Sequence, residues 1–365
     1  MEKKELLAVL RLQATKNIGS VIAKKLINHF DTISDIFIAP KSELLKIDGV
    51  GQFILKHLLD EKNNSLAQKE FDFIERNNID YCFFKNEDYP QKLKHCIDGP
   101  ILLFKDGNIN LKEQRIISIV GTRNITSYGR EFCNNLISDL AAYNPVIVSG
   151  FAYGVDICAH KAALKHNLQT LGVFAHGINT VYPKTHKKHM APILENGGFL
   201  TEFWHTETPL RENFLKRNRI VAGISEATIV IESGEKGGSL VTSDIANSYN
   251  RDVFAVPGKT SDVYSKGCNN LIKNNQAHLL TSAEDIIKML NWDVEKKQKP
   301  QQTSLFIDLN QQEQKIYDYL MQNGKQMIDV IAYDCKIPSY QLSSNLMQME
   351  LKGIVKPSPG KMFSV

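Results

Sequence analysis

Between Arg115 and Leu290 the chain alternates short runs of β-branched and apolar residues with longer segments of helical pattern. The short runs read "RIISIVG", "PVIVSG", "QTLGVFAHG", "FLTEF", "ATIVIES", "DVFAVPG" and "AHLLTS". Segments such as "SYGREFCNNLISDLAAY" and "VDICAHKAALKHN" lie between them and are long enough for helices. This alternation predicts an α/β domain, a doubly wound and mostly parallel sheet with helices on both faces. Ligands of such sheets bind beyond the carboxyl ends of the strands. The residues that follow each run are therefore where chemistry is expected.

The pattern differs at both ends. Residues 1–80 carry apolar positions at helical spacing in "KELLAVLRLQATKNIGSVIAKKLINHF" and again in "SELLKIDGVGQFILKHLL". Each half holds a glycine turn, "NIGS" or "DGVG", followed by a helix pattern. That is the layout of a helix-hairpin-helix element, whose exposed N–H groups hold a phosphate, and equally of a plain helical hairpin ended by glycine. A connecting stretch, "YCFFKNEDYPQKLKHCIDGPILLFKDGN", opens the central region 81–292. A polar linker, 293–304, precedes residues 305–365, which read as three helices and a Pro/Gly hairpin, a winged-helix-like order. Its would-be recognition helix, 339–352, has a single lysine, Lys352 at its end. Groove-reading helices bring several cations and amides to DNA, so a docking role fits this module better than DNA reading.

Composition adds exclusions. At 42% hydrophobic and 23% charged residues, the 365-residue chain is of ordinary soluble type and long enough for two or three domains. A net charge of +4 does not by itself imply nucleic acid. Six scattered cysteines show no C-x-x-C pair or metal-ligand spacing, which points to a reduced, cytoplasmic setting and no metal. The N-terminal apolar run is too short for a secretory signal, and nothing approaches the length of a membrane span.

The strand ends are rich in turns suited to anions. "GTRNITSYG" (121–129) places Gly121, Thr122 and Arg123 where a strand meets a helix N-terminus. It lacks the G-x-G-x-x-G spacing, so no dinucleotide cofactor is specified. "SGFAYGVDICAH" (149–160) brackets another phosphate-sized turn with Gly150 and Gly154, and "GEKGGSLVTSDIA" opens a helix at Gly237, Gly238 and Ser239. Asp156 and His160, four apart, invite a general-base reading, against which stand the absence of a nearby nucleophile and the plainer role of pinning a helix to its turn. "GINTVYPKTHKKH" gathers Lys184, Lys187 and Lys188 beside Tyr182.

The densest cluster is "NFLKRNR" (213–219), which follows "TETPLRE". Helical spacing puts Arg211, Phe214 and Asn218 on one face and Lys216 and Arg219 on another, with Arg217 free to point elsewhere. A single phosphate does not need so many cations. A polyphosphate backbone does, and a neighbouring phenyl ring offers a platform for an unpaired base. The competing reading makes Arg219 a structural arginine and Phe214 a core residue.

The ordered set "GTR", "SGFAYGVDICAH", "FLKRNR", "GSLVT" and "VPG" resembles the DprA/Smf family of DNA-processing proteins across roughly 85–285. The resemblance implies an extended Rossmann-type domain that binds single-stranded DNA without catalysis. It also implies protection of incoming strands in natural transformation, loading of a RecA-type recombinase, and a homodimer. By the same resemblance, Arg123 and the "RNR" region grip phosphates and Phe214 lies against a base, with Arg211 and Lys184 as further basic contacts. Leu215, where the family often has proline, and Tyr153 are departures. The alternative is a nucleotide-hydrolysing enzyme of the lysine-decarboxylase-like Rossmann group, echoed by Glu232 and "GEKGGSLVT" but without that group's P-G-G-x-G-T motif or a paired acid and base.

Overall fold

All seven apolar runs form strands in the computed structural model, which describes residues 1–112, 114–292, 309–358 and 361–365. They are β3 (Ile116–Val120), β4 (Val146–Ser149), β5 (Thr170–Val173), β6 (Gly197–Thr201), β7 (Ala227–Val230), β8 (Asp252–Ala255) and β9 (His278–Leu279). Two more, β1 (Asp80–Phe83) and β2 (Leu102–Gly107), lie within the stretch read above as a connection. "YCFF" and "ILLF" are too short for periodicity to tell strand from buried helix. The sheet order is β1-β2-β6-β5-β4-β3-β7-β8-β9. The pairs from β6 to β9 are parallel, and β1 and β2 extend that edge antiparallel.

The register explains why the runs are apolar throughout. In β3, Ile117 and Ile119 face a core shared with the helices Ser127–Leu140 and Val155–Lys165, while Ile116 and Val120 face the opposite core. Both faces of a parallel sheet are covered, so polar alternation is lost. Ser118 is the exception, buried with its hydroxyl 2.8 Å from Thr228 Oγ1 of β7.

The N-terminal helices Lys3–Ala14, Ser20–His29, Gln52–Leu58 and Lys62–Asn77 put Leu10, Leu26, Leu55 and Phe71 into the same core cluster as Val120, Val148 and Val230. The helical region and the sheet thus share one hydrophobic interior. The expected turns are present, with Gly19 and Gly51 each preceding a helix.

By contacts the chain divides at residues 293 and 294 into two units. The predicted 293–304 linker lies outside the described residues. The second unit holds the helices Gln311–Asn323, Ile328–Cys335 and Ser339–Leu351 with β10 (Gln326–Met327), β11 (Lys356–Ser358) and β12 (Met362–Ser364). Its antiparallel sheet has the order β10-β12-β11. Three helices on a small sheet are the winged-helix arrangement that the pattern predicts. Among the described residues no helix is long and apolar enough to cross a membrane, and no group of three His, Cys, Asp or Glu is placed to hold a metal ion.

Candidate nucleic-acid interface

The strand order reverses around β3, whose neighbours are β4 on one side and β7 on the other. Chains leaving such neighbouring strands in opposite directions open a crevice at their carboxyl ends. Here it is a cleft of about 800 Å³. Its floor comes from the ends of β3, β4 and β7 and its walls from two helices, Arg211–Ile224 and Gly238–Ser248.

Arg123 stands exposed at the mouth, its guanidinium carbon 5.6 Å from the centroid of the Phe214 ring. Phe214 is half-buried, and Tyr182 meets it edge-on at 5.8 Å between centroids. Arg211, on the first turn of the same helix, is exposed on the wall. Neither Arg123 nor Arg211 has a carboxylate within ion-pair distance among the described residues. Across the cleft Gly237 and Gly238 are exposed at the start of the helix Gly238–Ser248, whose first N–H groups have no partner inside the helix. Beside them Ser239 is buried, its hydroxyl donating to Ser233 Oγ at 2.9 Å. Asn218, also buried, donates through Nδ2 to Gly238 O at 3.3 Å and ties the two walls together.

The remaining cations of "KRNR" separate. Arg217 is 5% exposed and lies under the cleft, donating through Nη1 to Val173 O at 3.0 Å. Its guanidinium carbon is also within 5.8 Å of the Phe214 centroid. Gly150 is needed there because a Cβ at that position would lie 1.8 Å from Arg217 Nη1. Gly154 has φ +77°, and a Cβ on it would meet Thr122 O at 2.2 Å. These two glycines serve the close packing of the loop onto its neighbours.

Arg219 and Lys216 occupy the other side of the helix and line a separate cavity of about 830 Å³ facing the N-terminal helices. Arg219 pairs with Glu202 and donates to Asp98 O. As a direct partner for phosphates beside Arg123, Arg219 is displaced by this geometry, since the ion pair holds it away from the cleft. The structural-arginine reading describes its surroundings. Lys216 is exposed beside it, and Lys184 is exposed at the start of the turn Lys184–His189, outside the cleft lining. The prediction that 211, 214 and 218 share one face and 216 and 219 another holds.

Asp156 and His160 do not form a pair. Asp156 is buried, accepting from Ala152 N at 3.2 Å, and burial raises its carboxyl while the charge of Arg217 and the Ala152 N–H draw it back. His160 Nδ1 lies 2.7 Å from Thr170 Oγ1, and burial pushes the imidazole down to about 3, helped by the positive neighbours His186 and Arg217. Both are internal props. Glu232, the echo of a hydrolase, accepts from Thr126 N at 2.9 Å and from the Thr126 hydroxyl, buried at the N-terminus of the helix Ser127–Leu140. Each of its two oxygens accepts a bond at that helix start.

Sequence reading passed over Lys236 and Tyr264, which complete the lining. Lys236 was visible in "GEKGG" as a cation directly before the glycine turn. Tyr264 carried no local signal, because it reaches the cleft from the loop after β8.

A family model for DNA recombination-mediator protein A matches residues 80–291. Protein Smf of Escherichia coli is 33% identical over 279 residues, 75% of this chain and 74% of the relative. DNA processing protein DprA of Bacillus subtilis is 39% identical over 206 residues, 56% of this chain and 69% of that one. Among solved structures, DprA from Streptococcus pneumoniae superposes with a TM-score of 0.61 at 29% identity, covering 76% of this chain and 95% of its own. DprA from Helicobacter pylori, described for its single-stranded DNA binding mode, gives 0.53 at 30% identity over 58% of this chain and 96% of its own. Fold, strand-end motifs and matched length agree: the chain belongs to the DprA/Smf family of DNA-processing proteins.

Proposed function

We propose that this protein binds single-stranded DNA in the cleft and acts on it as a recombination mediator rather than as an enzyme. The observation that carries the reading is Arg123 held over the edge of the cleft at 5.6 Å from the Phe214 ring, unpaired by any carboxylate among the described residues. A cation for a phosphate and an aromatic ring for a base stand one beside the other, and an unpaired strand offers partners to both whereas a duplex conceals its base faces. Helix N–H groups beyond Gly237 add a second anion-binding wall. The H. pylori relative's single-stranded DNA binding points the same way.

The family resemblance extends the proposal to protection of the bound strand, delivery to a RecA-type recombinase, and a homodimer working in the cytoplasm. All six cysteines are free and buried, which suits a reducing compartment.

Binding to oligo-dT across a salt series tests the cleft. Arg123→Ala should lower affinity and reduce the slope of log K against log salt by about 0.7. Phe214→Ala should cost about 1–3 kcal/mol with the slope nearly unchanged. Equal affinity of the wild-type protein for single strands and duplex would remove the stacking argument. Recombinase delivery is read separately, as faster filament nucleation on strands precoated with this protein.

A further inference from the structure

The cleft does not end at Arg123. The same arginine lines a second depression of about 560 Å³, shared with Arg130, Tyr153 and Gly154 on the outer side of the β3 and β4 loops. Tyr153 is 44% exposed, and its hydroxyl lies 3.1 Å from Thr185 Oγ1 in the turn Lys184–His189. Its ring also meets that of His186 edge-on at 4.9 Å. His186 is in turn anchored, Nδ1 lying 3.0 Å from Phe151 O. The loop and the lysine-rich turn are thereby held as one surface.

Charge on this surface is one-sided. The segments 121–130, 151–165 and 184–190 contain Arg123, Arg130, Lys161, Lys165, Lys184, Lys187 and Lys188. Their single acid is Asp156, which is buried and faces Arg217. None of the seven cations is in an ion pair among the described residues, and all are exposed. Burial lowers the imidazole of His189, and the charges of Lys161 on the helix Val155–Lys165 and Lys188 on the turn lower it further. Unpaired cations outnumber acids here, the exposed Glu131 beside Arg130 included, and such an excess favours a polyanion, while an exposed tyrosine in their midst favours one with accessible bases.

We propose that the strand bound in the cleft leaves it over Arg123, lays a base on Tyr153 and continues along Arg130, Lys161, Lys187 and Lys188, a second, sequence-blind binding segment. This rests on the cleft reading, so the experiment separates the two. Affinity and salt slope are measured for oligo-dT of about 6 and about 20 nucleotides, one near the lower end of a single-domain site and one beyond its upper end. The double variant Lys161→Glu/Lys188→Glu changes only exposed side chains. It should weaken the long strand several-fold and lower its slope by about 1.4, two contacts at about 0.7 each, while the short strand binds as before. Tyr153→Ala should weaken the long strand with its slope retained, and Tyr153→Phe, which loses only the bond to Thr185, should restore it. No change at either length, with Arg123→Ala still impairing both, would overturn the extension and leave the cleft standing. Equal losses at both lengths would also overturn it, since the lysines would then act within the cleft. Were Arg123→Ala silent as well, both readings would fall together.

Discussion

The floor and the rim of the cleft use the same residue types in opposite ways. At the rim, Arg123 and Arg211 are exposed and, among the described residues, without a carboxylate partner, and Arg123 stands beside the Phe214 ring. On the floor, Arg217 is sealed under that ring, with its guanidinium on a β5 carbonyl and its charge set against Asp156. A buried charge is tolerated only when opposed and hydrogen-bonded, so the floor cations are committed to the fold. The rim cations have no such obligations and remain available. The lesson is that a run of basic residues does not mark a binding site residue by residue. Exposure and the lack of a nearby acid are what separate the rim from the floor here.

The comparison can be broken most sharply at the floor. Arg217→Ala removes the donor to Val173 O and the positive charge that opposes the buried Asp156, and should cost about 3 kcal/mol in urea unfolding. A loss below about 1 kcal/mol would mean that Arg217 is not part of the structural floor.

His160 supplies the next largest effect, through pH. Its folded imidazole stays neutral down to about 3, whereas the unfolded side chain takes a proton near 6.5. The unfolded state therefore binds the extra proton between those values. Its contribution is complete above pH 6.5 and is lost as pH falls toward 3, on the order of a few kcal/mol. His160→Gln should flatten that acid limb of the stability profile. An unchanged limb would place the titration elsewhere.

Arg219→Ala removes the partner of Glu202, whose carboxyl is already raised by burial and held down by the arginine's charge. A loss of about 1–3 kcal/mol in thermal or urea unfolding is expected, with the salt slope of DNA binding unchanged. A slope reduced as much as by Arg123→Ala would return Arg219 to the rim. The smallest effect on stability belongs to Arg211→Ala, within about 0.5 kcal/mol, yet it should lower the salt slope by about 0.7.

Much of this was readable in advance. The seven parallel strands announced themselves because a strand covered on both faces has no polar alternation to dilute its signal. Strand-end motifs were legible because glycines that permit close approach, Gly150 and Gly154, leave a mark in any sequence. The antiparallel pair β1 and β2 was missed, since four-residue apolar runs carry no period. The division of labour within "KRNR" was partly visible: helical spacing separated Arg219 from Arg211 and Phe214 but could not say which face met an acid.

Chain pattern alone determined the α/β architecture, the order of three helices and a hairpin at the end, and the edge of the sheet where the cleft opens. Those depend on local periodicity and turn chemistry, which are properties of neighbours in sequence. Tertiary structure alone decided that Arg123 meets Phe214, that Glu202 captures Arg219, and that Asp156 and His160 turn inward to different partners. The first two set a charge against a group far along the chain, and the third follows from burial, which turns Asp156 to the Ala152 N–H of its own loop and the neutral His160 to Thr170 Oγ1. Burial and Coulomb attraction act through space, with no regard for spacing along the chain.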